Sequence, residues 1–259
     1  MTRHPYFARV TWPLLICVGL LQPADAQQSD NPAAGPRFGL SAKEVVANLV
    51  RRNLERAQAL GAYHSTRTYR LDYHGFPGSR SAEMVVDVTY QRPGTKDFTV
   101  RSEKGSKLII ERVFKRLLQS EKEALTEKNE SRVALNNENY SFTMVGYEST
   151  PGGSCYLLSV EPRTKNKLLY RGRIWVDARD FAVTRIEAEP AKNPSFWTKE
   201  TKVEQVYAKV DDFWLPISNR STSAIRLGGH AYFTIDYGTY QITATTAAHP
   251  SPNNIAGYR

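Results

Sequence analysis

The fold is decided by the stretch Leu168-Leu-Tyr-Arg-Gly-Arg-Ile-Trp-Val-Asp-Ala-Arg-Asp-Phe-Ala-Val-Thr-Arg-Ile-Glu-Ala-Glu189, which predicts two β-strands joined by a short polar turn. Side chains of a strand alternate between its two faces. In the first strand one face receives Tyr170, Gly172, Ile174 and Val176, and the other receives Arg171, Arg173, Trp175 and Asp177. A second β-rich run follows the turn at residues 181–188. This hairpin predicts an antiparallel sheet.

The same alternation of apolar and polar residues continues on both sides of the hairpin. Parallel strands would need long crossovers, whereas short turns separate most of these segments, so we expect an antiparallel meander. The predicted strands are 63–73, 84–90, 98–100, 140–144, 156–160, 198–210, 213–227 and 231–237.

Two helices are predicted among the strands. Ser41 and Glu44 form a capping box at the start of the first helix, and Gly61 is a natural stop. The second helix, at about 107–128, has apolar residues at helical spacing and charges of both signs elsewhere. An exposed apolar stripe would be costly, so we expect this helix to lie on one face of the sheet.

Composition favours a single, mainly β domain with an N-terminal export signal. The 259 residues are 41% hydrophobic and 11% aromatic, which suits a core built from strands. Arg3 and Arg9, the apolar run 10–21 and the small-residue site ending at Ala26 predict a cleaved signal peptide. The predicted organisation is a signal peptide at 1–26, a flexible leader at 27–40, one domain at 41–246 and a loose tail at 247–259.

Charge and cysteine content limit the possible functions. The net charge is +9, but the basic residues are spread along the whole chain without a dense block, so we predict no nucleic-acid partner. Cleavage removes Cys17 and leaves Cys155 alone, which excludes an internal disulfide in the mature chain. We expect a monomer stabilised by its core and its sheet.

No sequence motif indicates catalysis. Gly152-Gly-Ser-Cys155 is faintly similar to the nucleophile segment of papain-like proteases, but Cys155 opens an alternating strand instead of a helix. The histidines have no metal-ligand spacing, and no phosphate loop or dinucleotide fingerprint occurs. We therefore predict no enzyme, metal or cofactor. A pair of strand carboxylates of the glycosidase type stays an open alternative, because acidic residues are plentiful.

The aromatic-rich alternating faces have two interpretations. They are either an ordinary core or, taken together, the wall of a concave apolar cavity that suits an acyl chain. The second interpretation predicts a ligand site between sheet and helix. Its lining would be Tyr69, Leu71, Val86, Val88, Phe98, Phe142 and Met144 from the strands, with Ile110, Phe114 and Leu117 from the second helix.

Four segments resemble a known family. They are Tyr170-Arg-Gly-Arg-Ile-Trp-Val-Asp177, Asn193-Pro-Ser-Phe-Trp197, Phe213-Trp-Leu-Pro216 and Ile235-Asp-Tyr-Gly238. In these segments, and in Ile174-Trp-Val-Asp177 followed by Val183-Thr-Arg-Ile186, the chain resembles the outer membrane lipoprotein-sorting proteins of the LolA and LolB-like superfamily. The resemblance covers roughly residues 41–244.

The resemblance implies a strongly curved antiparallel sheet that forms an incomplete β-barrel, with its concave face covered by two or three helices. It implies a periplasmic carrier of acylated lipoproteins or other lipids that makes transient contact with an inner- or outer-membrane acceptor. The superfamily also contains a sensor domain that restrains an anti-sigma factor. A non-transporting sensor or binding module is therefore an alternative, and an exported enzyme is a more remote one.

Overall fold

A computed structural model describes residues 39–124, 133–150, 153–165, 168–192, 198–226 and 228–245. The helical elements are α1 (Ala42–Ala59), α2 (Lys107–Ile109), a π-helical turn (Ile110–Phe114) and α3 (Lys115–Ala124). The strands are β1 (Leu60–Gly75), β2 (Arg80–Gln91), β3 (Thr95–Gly105), β4 (Tyr140–Thr150), β5 (Gly153–Pro162), β6 (Tyr170–Asp177), β7 (Val183–Pro190), β8 (Thr198–Val210), β9 (Phe213–Ile225), β10 (Gly229–Tyr237) and β11 (Gln241–Ala244).

All eleven strands belong to one antiparallel sheet. Their order is β3-β2-β1-β10-β9-β8-β7-β6-β5-β4, and β11 pairs with the first residues of β1. In the described part of the chain, β3 and β4 end the sheet without pairing with each other. The sheet is therefore not closed into a barrel. The predicted fold class, a mainly β antiparallel sheet with helices on one face, is confirmed.

The hairpin that decides the fold forms as predicted, from β6 and β7. Ile174 of β6 is opposite Ile186 of β7, and both are buried. Asp177 ends β6, and its Oδ1 accepts hydrogen bonds from the amides of Arg179 at 2.9 Å and Asp180 at 2.7 Å. A carboxylate that accepts from the amides two and three residues later fixes a tight turn. Asp177 is thus explained by turn geometry.

Trp175 of the same hairpin is buried on the face that it shares with Arg171, Arg173 and Asp177. Its Nε1 donates to Glu148 at 2.9 Å, and the guanidinium groups of Arg173 and Arg185 lie 5.7 and 5.1 Å from the ring centroid. Cation–π contacts of this kind cover the part of an aromatic ring that faces charged neighbours. Long basic side chains can therefore bury a tryptophan on an otherwise charged face.

Helix α1 begins at the predicted cap. The Ser41 amide donates to Glu44 Oε2 at 2.7 Å, and the Glu44 amide donates to Ser41 Oγ at 3.3 Å. The helix ends at Ala59, and β1 begins at Leu60, so the stop precedes Gly61. At its C-terminal end Arg56 donates to the carbonyl oxygens of Asp180 and Phe181 at 2.9 and 3.0 Å. These bonds fix α1 to the β6–β7 turn.

The second predicted helix forms from Lys107 to Ala124, with the π-helical turn inside it. Its apolar stripe faces the sheet as predicted, and Ile110, Phe114 and Leu118 are buried there.

Residues 125–128 of the predicted helix lie outside the described residues. So do the predicted signal peptide, nearly all of the leader, the tail, and the segment Asn193–Trp197. Among the helices that the structure describes, none combines the length and hydropathy that crossing a membrane requires.

Candidate functional site

Two apolar clusters occupy the face of the sheet that contacts the helices, which we call the inner face. The first cluster joins β1, β2, β9 and β10 to α2, the π-helical turn and α3. The second joins β4, β5, β6 and β7 to α1. Each helical segment therefore covers its own apolar region of the inner face. Strand β8 lies between the two regions in the sheet order.

The residues predicted to line a ligand site divide between these clusters. The first cluster contains Tyr69, Leu71, Val86, Val88, Ile110 and Phe114, with Phe98 packed against it. Phe142 and Met144 instead pack against the second cluster. Leu117 is buried on α3. The structure thus brings seven of the ten residues together, while ligand binding by any of them stays a prediction.

Three charged side chains are buried at the edge of the first cluster, and we call them the charge triad: Arg67 of β1, Lys96 of β3 and Glu121 of α3. They are 2%, 7% and 1% exposed. Arg67 Nη1 donates to both carboxylate oxygens of Glu121, at 3.0 and 2.9 Å, and Lys96 Nζ donates to Glu121 Oε1 at 2.7 Å. The triad connects the C-terminal half of α3 to two strands.

Tyrosine rings surround the charge triad. The guanidinium of Arg67 lies 4.9 Å from the centroid of the Tyr237 ring, and Lys96 Nζ lies 5.7 Å from that of Tyr63. Burial raises the pKa of Tyr69 to about 12 and raises that of Tyr237 well above its ordinary value. These phenols therefore stay neutral at ordinary pH, and the triad keeps a net positive charge.

Burial alone would raise the pKa of Glu121, but the charges of Arg67 and Lys96 and their hydrogen bonds outweigh it. The pKa of the Glu121 carboxyl is therefore below its ordinary value. Glu121 also raises the pKa of Arg67 well above its usual range, against the effect of burial. Both partners are ionised at neutral pH. Removing one of them would leave a buried charge uncompensated.

The sequence reasoning missed the charge triad, although a signal was present. Tyr63, Tyr69 and Leu71 place the odd-numbered residues of β1 on the inner face, and Arg67 has the same parity. Glu121 follows Leu117 and Leu118 at helical spacing and so belongs to the buried stripe. The pattern therefore predicts that a base and an acid are buried, but it does not show that they contact each other.

Cys155 lies on the opposite face of the sheet from the clusters. It is buried with Leu157 and Trp175, and its Sγ is 3.7 Å from Thr184 Oγ1. Burial raises the pKa of this thiol, whereas a nucleophilic cysteine needs a lowered one. Its interpretation as a small strand residue agrees with this environment. Among the described residues, no three His, Cys, Asp or Glu side chains are grouped to hold a metal ion.

An open cleft of about 670 Å³ crosses β5 to β9 and is bordered by charged side chains. Many of these form exposed ion pairs, such as Arg173 with Glu187 at 3.0 Å and Arg185 with Glu204 at 2.8 Å. Exposed pairs of this kind contribute little stability. A charged cleft does not suit an acyl chain, so the inner face is the better candidate site for an apolar ligand.

Comparison with known proteins returns one family model and several solved structures. Residues 132–241, which contain β4 to β10, match a family of unknown function, DUF5686. A comparison with curated proteins finds no match. The structures include a DUF1329 family protein from Desulfovibrio piger, at 15% identity and a TM-score of 0.40, with 78% of this chain and 93% of that chain covered.

Two further structures are similar to this chain over most of its length. One is an outer membrane lipoprotein-sorting protein domain from Vibrio parahaemolyticus, at 13% identity and a TM-score of 0.40, covering 81% of this chain and 95% of that chain. The other is a LolA superfamily protein from Nitrosomonas europaea, at 9% identity and a TM-score of 0.36. It covers 79% of this chain and 94% of that chain.

Proposed function

We propose that this protein is an exported, periplasmic binding protein that holds the acyl chains of a lipid or lipoprotein between its inner face and its second helical segment. The observation that carries this proposal is the attachment of α3. An amphipathic helix lies on an apolar sheet face, and its buried polar attachment to that face is the charge triad. The ion pairs of Lys115 with Glu103 and of Lys122 with Asp97 also join α3 to β3, through partly exposed side chains. The remaining contacts under Ile110 and Phe114 are apolar.

An acyl chain can replace such apolar contacts at low cost, because one apolar surface is exchanged for another. The charge triad cannot be replaced in this way, since an acyl chain provides no countercharge for Glu121. We therefore place the fixed end of the movable segment at Glu121. The part from Lys107 to Phe114 lifts from the sheet, and the ligand takes the place of Ile110 and Phe114.

The proposed function involves two conformations and no chemical step. In the closed state the helix covers the first cluster, as in the structure described above. In the open state the ligand enters, and its binding energy shifts the population toward that state. Transfer to a membrane acceptor would return the helix to the sheet. We assign the protein no catalytic residue.

Native mass spectrometry of the protein purified from the periplasm, followed by lipid extraction, tests the proposal. We expect a bound acyl-containing species with the wild-type chain. Its absence, together with failure to take up lipid from vesicles, would show that the inner face is only a core. Transfer of bound lipid to acceptor vesicles then distinguishes a carrier from a binding module that does not release its ligand.

Phe114→Asp provides a second test, because it places a charge under the movable segment. We expect loss of the bound lipid and reduced stability, since Phe114 is 0% exposed. Leu108→Asp is the matched control in α2, where the side chain is 45% exposed. The control should keep both lipid and stability. If Phe114→Asp behaves like the control, the docking of this segment has no part in binding.

A further inference from the structure

One row of inner-face side chains crosses nine consecutive strands of the sheet, from β2 to β4. Each member is the register partner of the next: Met84, Tyr69, Ile235, Asn219, Gln205, Ile186, Ile174, Leu158 and Met144. The row therefore passes through both apolar clusters. Only Asn219 and Gln205, on β9 and β8, are amides, and they lie between the two clusters.

The amide pair has a defined orientation. Asn219 Nδ2 donates to Gln205 Oε1 at 2.6 Å, so the Gln205 oxygen is occupied. Gln205 is 6% exposed, and among the described residues its Nε2 has no hydrogen-bond partner. The next row is less polar, since Val203 and Ser221 occupy the equivalent positions between Ala188 and Phe233. The buried NH2 group of Gln205 is thus available as a donor at the junction of the two clusters.

A buried donor without a partner destabilises a protein, and apolar residues at both positions 205 and 219 would continue the row without this cost. The cost is recovered if a ligand supplies the acceptor. Because Gln205 offers only a donor, the ligand group must be an acceptor. No side chain of the row is charged. A ligand carboxylate or phosphate bound to Gln205 would therefore be buried without a cationic side chain from the row to neutralise it. The fitting group is a neutral carbonyl oxygen.

We infer that Gln205 donates a hydrogen bond to the ester or amide carbonyl of an acylated ligand, whose chains extend from this point over one or both apolar clusters. This inference rests on the proposed function. Neighbouring strands are about 4.8 Å apart. The row therefore extends over three strand spacings, about 14 Å, from Asn219 to Met84, and over four, about 19 Å, from Gln205 to Met144. Asn219 is a positioning residue, because it holds the Gln205 amide with its nitrogen free.

The inference is tested with a diacylglycerol and the matching dialkyl ether, which has the same chains but lacks the carbonyl groups. Both probes are offered in vesicles to the full-length exported protein, and retention is measured by native mass spectrometry. We expect the wild-type protein to prefer the ester by about tenfold, the effect of one hydrogen bond to an otherwise unpaired donor. Gln205→Met, which keeps the size of the side chain, should abolish this preference.

Thr201→Val is the control on the same strand, because Thr201 is buried but already pairs with Ser223 at 2.9 Å. It should keep the ester preference. Equal retention of ester and ether by the wild-type protein, or an unchanged preference in Gln205→Met, would overturn the inference and leave the proposed function intact. Retention of neither probe nor of any other acyl compound would overturn the proposed function itself. Stability of Gln205→Met at or above that of the wild type shows that the loss is not caused by unfolding.

Discussion

Arg67 on β1 and Glu121 on α3 are 54 residues apart in sequence, yet Arg67 Nη1 lies 3.0 and 2.9 Å from the two carboxylate oxygens of Glu121. Both side chains are 2% exposed. In such surroundings each charge is stabilised by the other, since neither is solvated by water. The position of α3 on the sheet is thus set by a charge interaction inside an otherwise apolar region.

Glu121→Gln should lower the free energy of unfolding by about 3–5 kcal/mol, because it leaves Arg67 and Lys96 buried without their counterion. Urea denaturation followed by circular dichroism measures this change. Glu111→Gln is the control on the same helical segment, since the Glu111 side chain is 59% exposed. We expect the control to change stability by less than about 1 kcal/mol. Equal effects of the two substitutions would contradict a structural role for the triad.

The charge triad also predicts a pH dependence. The pKa of Glu121 is lowered from 4.5 in the folded protein. As the pH falls, this carboxylate is therefore protonated in the unfolded chain before it is protonated in the folded protein. The stabilisation is complete above about pH 4.5 and is lost as the pH falls through the lowered pKa. Denaturation from pH 7 to 3 should show a smaller loss of stability in Glu121→Gln than in the wild type. Parallel curves for the two proteins would count against the lowered pKa.

Phe114→Ala should destabilise the protein by about 3–5 kcal/mol, because a fully buried phenyl ring leaves a cavity in the first cluster. Phe114 is 0% exposed and contacts the rings of Tyr69 and Phe233. Phe76→Ala is the matched control, since Phe76 is 77% exposed at the β1–β2 turn. The control should shift the denaturation midpoint very little. A small effect at both positions would show that the helical segment contributes little to folding.

Gly172→Ala should destabilise the β6–β7 pair by about 1–3 kcal/mol. Gly172 has a φ of 152°, and a Cβ placed there would lie 2.1 Å from the carbonyl oxygen of Glu187. Gly146→Ala in β4 is the control, because a Cβ there has no neighbour within 4 Å. Thermal unfolding of both variants measures the difference. A lower melting temperature for Gly146→Ala than for Gly172→Ala would contradict this account of the close approach.

The sequence predicts the sheet well because local patterns determine it. Alternation in residues 168–189 and the capping box at Ser41 both depend on residues a few positions apart, and both are confirmed. The charge triad depends instead on the packing of α3 across β1 and β3, which no local pattern specifies. The division of the predicted site between two clusters likewise depends on strand order, which places β10 beside β1 and keeps Phe142 away from Tyr69.

The pairing of β1 with β10 has a consequence for the order of folding. Strands β1 to β3 and strands β4 to β10 each pair with their neighbours in sequence. In contrast, β1 and β10 meet through distant residues such as Arg70 and Asp236, which are 166 positions apart. Short hairpins close quickly, but a long loop must lose more entropy before its contacts form. We therefore expect the two meanders to form first and independently. Their docking, which completes the sheet and the first cluster, should be the late step.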